Sequence, residues 1–492
     1  MWGKGQRPAA SLAKKVVVST VAQVASQIIT SVLAVVTLKI ITTSLGVADY
    51  GLYATIYAFV STFSLLTDLG LNAITAREIA KEPARADDII GHNMGLRIVL
   101  CVVMIPLIAL LSFVFYPHQS NSLHVGIVLM ALYLLFDAVR SVALAYFTSK
   151  VRNDVVALIV TVQQIVLTLA VVLVAVQGGT LYGFIGAFVA ANAAGAVMAV
   201  YVTRKAVKLR PQISIRRWKT ILAMSVSLGI IQVINMLYLK ADSIMLSILK
   251  DTTAVGVYGV AYSLILAFLA LPSFIMSALI PSLATASRER AEHIVGKAFQ
   301  YMAILACLLA AGGFTVRHDL VTLVANKSFA ASATPFAILA LASAFTYLNS
   351  VFGFASVSLN KHHRLVYLSV GSLACNILLN LYCIPHYGVA GAAWATVASE
   401  LTALVGAYSI FRQQTGLHIR VFVPLLRPAF TALVTLFVVH VCEPALVRFG
   451  SLVHLAAIAA LTTLVYGATL WVVRGIPAEV REAARRTIRL RS

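Results

Sequence analysis

An apolar run of membrane-spanning length is the feature that most constrains the fold. It lies in the segment DYGLYATIYAFVSTFSLLTDLGLNAITAREIAK, which begins at Asp49 and ends at Lys81. Its roughly twenty apolar residues, at 1.5 Å per residue, form a helix that matches a hydrocarbon core of roughly 30 Å. Because cations such as Arg77 stand only at the far end, the positive-inside rule predicts that this end faces the cytoplasm.

The whole chain shares this apolar character. Its 492 residues are 60% hydrophobic and only 11% charged, whereas soluble domains carry roughly 25% charged residues. Mean hydropathy is +0.93. The net charge of +21 could suggest a nucleic-acid partner, but the cations stand in short clusters between apolar runs rather than on one basic face. The composition therefore predicts an integral membrane protein whose cations set orientation and contact anionic headgroups, with no nucleic-acid partner.

Apolar runs of adequate length predict an all-α polytopic protein of about fourteen transmembrane helices. Most of the 38 Lys and Arg residues fall in alternate segments between these runs, which favours an even number of spans with both termini in the cytoplasm. The first run is too long for a signal peptide and is expected to be a retained span. The predicted spans are residues 16–43, 51–71, 94–116, 124–147, 155–177, 181–203, 219–248, 255–283, 299–315, 334–359, 365–385, 389–411, 428–447 and 451–473.

Motifs for a cofactor or for covalent chemistry are lacking. The five cysteines fall in apolar stretches and include no CxxC pair. The sequence contains no GxxxxGK[ST] phosphate-binding loop. A polymerase or glycosyltransferase would need a large outer loop with paired acids or arginines, and no predicted outer loop is that long. We therefore expect no metal, no cofactor and no enzymatic activity.

An internal repeat divides the chain. A Tyr-Gly turn at Tyr50 recurs at Tyr258, 208 residues later, and another at Tyr182 recurs at Tyr387, 205 residues later. Although Tyr-Gly turns are common, two matches at nearly equal separation indicate that spans 1–6 are duplicated as spans 7–12. Transporters built from such parallel repeats bind substrate where the halves meet. The predicted domains are an N-lobe (1–209), a C-lobe (210–415), and spans 13 and 14 with a basic cytoplasmic tail (416–492).

Polar residues inside the predicted spans are the candidate functional residues. An ionisable group at membrane depth costs several kcal/mol unless it faces a cavity or a partner. The candidate substrate-cavity residues are Lys39, Arg140, Lys240, Asp242, Gln23, Gln27, Gln163, Asn235 and Asn376. The candidate gate or coupling residues are Asp68, Arg77, Asp137 and Glu400.

Two interpretations are open for most of the cations. Asp137 and Arg140 are three residues apart and share a helix face, so they either form an internal ion pair or present Arg140 to an anionic substrate. Lys39 can extend its ammonium to the membrane surface. Lys240 is expected to pair with Asp242 or to face a cavity.

The carboxylates and amides also allow two roles each. Asp68 either caps the next short helix or closes a gate with Arg77. Glu400 is a proton carrier or a hydrogen-bonding partner of a neighbouring helix. Gln23 with Gln27, and Asn376 with Asn380, are spaced to share a helix face, which suits sugar hydroxyls but more commonly joins helices.

Short motifs along nearly the whole chain resemble polysaccharide-repeat-unit flippases, of the O-antigen or exopolysaccharide type, in the multidrug, oligosaccharidyl-lipid and polysaccharide exporter superfamily. They are Gly46-x-x-Asp49-Tyr50-Gly51, Asp68-Leu69-Gly70-Leu71, Arg77-Glu78-Ile79-Ala80-Lys81, the segment from Asp242 to Tyr258-Gly259, and Tyr387-Gly388-x-x-Gly391-Ala392.

The resemblance implies two six-helix lobes, two extra helices and a cationic cavity that opens alternately to either side of the inner membrane. The implied substrate is an undecaprenyl-diphosphate-linked oligosaccharide, used for lipopolysaccharide or exopolysaccharide and moved to the outer leaflet. Implied partners are membrane lipids, H⁺ or Na⁺ as the coupling ion, a polysaccharide polymerase and glycosyltransferases. The alternatives are a cation-coupled multidrug antiporter of the same superfamily and a flippase of a peptidoglycan or teichoic-type precursor.

Overall fold

The computed structural model describes residues 9–359, 361, 363–446, 451–477 and 481, which contain helices and no strand. The predicted all-α fold is confirmed. The basic tail predicted at the C-terminus lies mostly outside the described residues, as do the first eight residues. The α-helices are α1 (Ala9–Asp68), α2 (Leu71–Lys81), α3 (Ala86–Phe115), α4 (Asn121–Ala131), α5 (Tyr133–Ser149), α6 (Asn153–Val176), α7 (Leu181–Thr203), α8 (Ile215–Leu249), α9 (Thr252–Leu269), α10 (Leu271–Ala284), α11 (Arg288–Ala325), α12 (Ala333–Ser358), α13 (His363–Thr415), α14 (Phe422–Leu446) and α15 (Ser451–Val472). Short 3₁₀ helices cover Pro83–Arg85 and Lys327–Ser332.

Two helices are too long to be single spans. The 60 residues of α1 would extend about 90 Å, three times the thickness of a hydrocarbon core. Each contains one glycine with a left-handed φ, Gly46 (71°) in α1 and Gly388 (59°) in α13. Each is therefore two consecutive spans joined at a glycine, as the predicted pairs 16–43 with 51–71 and 365–385 with 389–411 require.

The described residues include eleven helices that are long and apolar enough to cross a membrane. Two of these, α1 and α13, hold two spans each, and α8 coincides with the predicted span 219–248. The pair α4 and α5 and the pair α9 and α10 each correspond to one predicted run, so each of the fourteen predicted runs has a helical counterpart. The protein is a multi-pass membrane protein, and the large apolar side chains exposed on α3, including Val102, Leu110 and Phe113, suit contact with lipid.

The predicted span 299–315 underestimates its helix. α11 covers 38 residues, Arg288–Ala325, because it continues beyond the apolar run at both ends. Its polar start is helical and carries an intrahelical ion pair between Arg288 and Glu292, with 4.0 Å between Nε and Oε1. Gly313, near the end of this predicted span, permits close contact with α12, since a Cβ atom there would overlap Ala340.

The chain divides into two compact units, 1–248 and 249–492. Unit 1 has its apolar core between α1, α3, α4, α5 and α7. Unit 2 has its core between α10, α11, α12 and α13. Helix α15 packs on α11, where the Tyr466 hydroxyl donates a hydrogen bond to the carbonyl of Ile304 at 2.8 Å.

Most of α8 belongs to unit 1, where it packs on the turn between α1 and α2. An ideal Cβ at Gly229 would lie 2.6 Å from the carbonyl oxygen of Leu69, so only glycine permits this approach. The repeat assigns the same helix to the C-lobe, and the lobe boundary at 209/210 stays a prediction.

Candidate functional site

A polar cluster lies inside unit 1, where three helices meet. Arg140 of α5 donates from Nη2 to Asp137 on the same helix. Gln163 of α6 donates from Nε2 to Oδ1 of Asn192 on α7 at 3.1 Å, and Asn192 donates to the carbonyl of Phe188 at 2.9 Å. The cluster therefore joins a cation, a carboxylate and two amides.

The cluster lies near the middle of the predicted spans. Arg140, Gln163 and Asn192 are each about ten residues from the helix ends at 149, 153 and 203, or about 15 Å along the axis. That is half of a hydrocarbon core of roughly 30 Å. Charged and amide groups at this depth are functional candidates by default.

Gly195 brings α7 close to these side chains. An ideal Cβ at this position would lie 2.8 Å from Oε1 of Gln163 and 3.2 Å from Cδ of Arg140. Among the described residues, Nε of Arg140 and Oε1 of Gln163 are buried without a hydrogen-bond partner. The cluster therefore retains one donor and one acceptor for a further group.

Lys240 is joined to this region through aromatic rings. Its ammonium lies 4.9 Å from the ring centroid of Tyr57 on α1, which is a cation–π distance. Tyr57 contacts Phe188 edge-to-face at 5.6 Å, and Phe188 contacts Tyr133 of α5 at 5.3 Å. Asp242, the expected partner of Lys240, is buried. Unit 1 thus places two intramembrane cations around one aromatic cluster.

Asp68 is placed at the end of α1, where it accepts the backbone N–H of Asn72 at 3.2 Å and so caps α2. Its ion-pair partner is Arg97 of α3, which also donates to Ser141 of α5. In this structure Asp68 pairs with Arg97 and not with Arg77, and the gate role of Asp68 and Arg77 stays a prediction. Arg77 lies off the face of α2 that is buried, its side chain is exposed, and its Nε is 3.8 Å from Glu78.

Four other predicted residues, on α1 and α8, are exposed: Lys39, Gln23, Gln27 and Asn235. Gln27 reaches only Ser31, at 3.4 Å. A cavity role for these residues stays a prediction.

In unit 2, the predicted amide pair joins the two arms of α13. Asn376 is buried and donates to Ser399 at 3.5 Å, and it accepts from Asn380 at 3.0 Å. This is the joining role that such pairs commonly have. Glu400, next to Ser399, is also buried, and its role in coupling stays a prediction.

Two polar residues of unit 1 were not identified from the sequence. Arg97 stands at the start of the predicted span 94–116, where a cation is expected to face the cytoplasm, yet it is 1% exposed. Asn192 is the one amide in the run LYGFIGAFVAANAAGAVMAV, and that isolation is the signal that could have identified it.

A cavity of about 330 Å³ lies between α2, the start of α3 and the start of α8. Its charged lining is paired internally: Asp88 binds Arg217, and Arg85 binds Asp88 and Glu82. It lies at the helix ends rather than at mid-depth. The polar cluster around Arg140 is therefore the better candidate for a substrate that crosses the membrane.

A family model described as polysaccharide biosynthesis protein matches residues 12–287. No curated protein matches the sequence.

Several solved structures match the fold. The lipid II flippase MurJ in its inward closed conformation has a TM-score of 0.72 and 14% identity, over 92% of this chain and 98% of that one. An inward-facing multidrug resistance MATE transporter of the MOP superfamily has a TM-score of 0.61 and 13% identity, over 81% and 98%. A MOP superfamily transporter from Pyrococcus furiosus has a TM-score of 0.59 and 14% identity, over 82% and 96%. Identities this low establish a shared fold only.

Proposed function

The chain belongs to the polysaccharide biosynthesis protein family and has the all-α fold of MOP-superfamily flippases and transporters, and from this premise we propose that it is a flippase of lipid-linked oligosaccharides. The proposed substrate is an undecaprenyl-diphosphate-linked repeat unit. It moves from the inner to the outer leaflet of the cytoplasmic membrane by alternating access, in a protein with both termini in the cytoplasm.

The observation that carries this proposal is an arginine near the middle of a predicted span whose Nε is buried and has no hydrogen-bond partner among the described residues. A guanidinium presents a planar set of donors that matches phosphate oxygens. The neighbouring amides of Gln163 and Asn192 suit sugar hydroxyls, since an amide can both donate and accept hydrogen bonds. The polyprenyl tail stays in the bilayer because removing its apolar surface from lipid is unfavourable.

The remaining predicted residues take part in this proposal at other steps. In alternating access, the two predicted lobes rock about the bound headgroup. Lys240 adds a second positive charge for the diphosphate. Asp68 and Arg77 act near the cytoplasmic end of the path, and Glu400 couples the cycle to an ion.

Transport in proteoliposomes tests the proposal. Arg140→Gln removes the guanidinium but keeps a side chain of similar length, and we expect the rate of movement of a fluorescent undecaprenyl-diphosphate-linked oligosaccharide to fall about tenfold or more. Lys240→Ala should also lower the rate. The matched control is Arg152→Gln, because Arg152 is an exposed arginine paired with Asp154 outside the apolar segments. Full transport by both Arg140→Gln and Lys240→Ala would contradict the proposal.

Two alternatives are separated by substrate. The shared fold with a multidrug resistance transporter makes drug efflux the second candidate, and the shared fold with a lipid II flippase makes a peptidoglycan-type precursor the third. Competition by unlabelled drug, by lipid II and by a lipid-linked oligosaccharide, measured on one preparation, ranks the three. The proposal requires that only the oligosaccharide competes strongly.

A further inference from the structure

The ion pair between Asp137 and Arg140 differs in exposure from the ion pair between Asp68 and Arg97 of the same unit. The side chains of Arg140 and Asp137 are 18% and 28% exposed. The side chain of Arg97, paired with Asp68, is only 2% exposed. Arg140 is therefore less enclosed than Arg97, whose partner Asp68 is itself 21% exposed.

Arg140 is only partly used by its carboxylate. Its hydrogen bond to Asp137 comes from Nη2, and Nε is buried without a partner in the part of the chain that the structure describes. A guanidinium has five donors in a fixed plane, and carboxylate and phosphate oxygens compete for the same edges. The carboxylate of Asp137 thus occupies an anion position that a phosphate group would also fit.

We propose that Asp137 is an internal substitute for the substrate diphosphate. Asp137 neutralises Arg140 when the site is empty, is displaced when the diphosphate binds, and returns to Arg140 when the product leaves. The inference rests on the proposed function and assigns a regulatory role within the same site.

The physical reason is the cost of an uncompensated charge. An arginine left alone at mid-membrane depth is expensive, so Asp137 lowers the free energy of the empty protein. The same contact weakens substrate binding. The diphosphate must replace Asp137, so the measured binding free energy is the difference between the free energies of the diphosphate–Arg140 contact and the Asp137–Arg140 contact. Removing the internal anion should therefore tighten binding and slow release, since affinity differences among variants of one site appear mainly in the dissociation rate.

The test measures binding of farnesyl diphosphate, a short prenyl diphosphate, to the full chain in phosphatidylcholine nanodiscs. We expect Asp137→Asn to bind it about tenfold more tightly than the wild type, because a competing charge-assisted hydrogen bond is lost. The same variant should move the labelled lipid-linked oligosaccharide more slowly at saturation. Asp154→Asn is the matched control, because Asp154 is paired with the exposed Arg152 and should change neither quantity.

Two further binding measurements identify which chemical group of the ligand Arg140 recognises. Inorganic pyrophosphate should show the same tightening, because the diphosphate is the group that replaces Asp137. Nanodiscs of phosphatidylglycerol should preserve the difference between wild type and Asp137→Asn. Loss of the difference there would assign the site to ordinary phospholipid headgroups and overturn the inference.

The outcomes separate the inference from the proposed function. The inference alone is overturned if the wild-type protein transports the oligosaccharide but Asp137→Asn binds farnesyl diphosphate no more tightly than the wild type does. A wild-type protein that neither transports nor binds the diphosphate overturns both. If Asp137→Asn does not fold, Asp137→Ser removes the same charge with a smaller side chain, and the expected and contradicting affinities are unchanged.

Discussion

Arg97 shows how a single residue can join three helices. It is among the largest fully buried side chains of the described chain, and its guanidinium links Asp68 at the end of α1 to Ser141 of α5. Local sequence did not indicate this, because the partners are 29 and 44 residues away. Arg140 and Asp137, by contrast, could be identified from the sequence, because a charged residue inside an apolar run is rare and their spacing places them on one face.

Replacing Arg97 should destabilise unit 1. Arg97→Ala leaves Asp68 without its cation, and breaking such a pair costs about 3 kcal/mol or more. The matched control, Arg85→Ala, removes exposed ion pairs with Glu82 and Asp88, which contribute little to stability because water screens them. Thermal unfolding in detergent should show a clearly larger drop in midpoint for Arg97→Ala. Equal midpoints would show that the buried pair contributes nothing to stability.

Gly195 gives a second prediction at this scale. The Cβ of Gly195→Ala would overlap Gln163 and crowd Arg140, so we expect slower transport of the lipid-linked oligosaccharide. Gly186 is on the same helix, and a Cβ there would meet no atom within 4 Å. Gly186→Ala should keep full transport and raise stability by about 0.5–1 kcal/mol. Transport is measured in the proteoliposome assay. Unchanged transport by both variants would show that Gly195 is not part of the site.

At the scale of elements, the apolar runs predicted where spans lie, because the hydrocarbon core selects about twenty apolar residues for each crossing. They could not predict how far a helix continues outside the membrane, as α11 does, since water allows helix and loop alike. Nor could they show that the linker before α8 packs on α3. There the backbone N–H of Gln212 donates to the carbonyl of Gly91 at 2.8 Å, and the Trp218 indole N–H donates to the carbonyl of His92 at 3.0 Å.

The glycine turn within α13 can be tested by a pair of substitutions in one helix. A Cβ at Gly388 or at Gly371 would meet nothing within 4 Å, but only Gly388 has a left-handed φ, 59° with ψ −134°. Gly388→Ala should therefore lose about 1–3 kcal/mol through backbone strain alone, whereas Gly371→Ala should be neutral or stabilising. Thermal unfolding of the two variants measures the difference. Equal stability would exclude a strained turn at Gly388.

At the scale of the whole molecule, contacts between loops agree with the predicted alternation of sides within each unit. In unit 1, Asp87 accepts from the backbone N–H of Lys208 at 3.1 Å, and both are predicted to be cytoplasmic. In unit 2, Lys250 donates to the carbonyl of Pro385 at 3.0 Å, and both are predicted to lie outside. A miscounted span between either pair would place its two members on opposite sides of the bilayer.

This alternation leads to a prediction for intact cells. In a variant whose five cysteines are replaced, single cysteines at Gln119, Gly178 and Asp251 should react with a membrane-impermeant maleimide, because these turns are predicted to lie outside. Cysteines at Arg152 and Arg210 should react only after the membrane is permeabilised, because the cation-rich segments are retained on the cytoplasmic side. Adjacent turns must lie on opposite sides of the membrane. Labelling of Arg152→Cys in intact cells would therefore show that the whole chain has the opposite orientation, and the direction proposed for the substrate would be reversed as well.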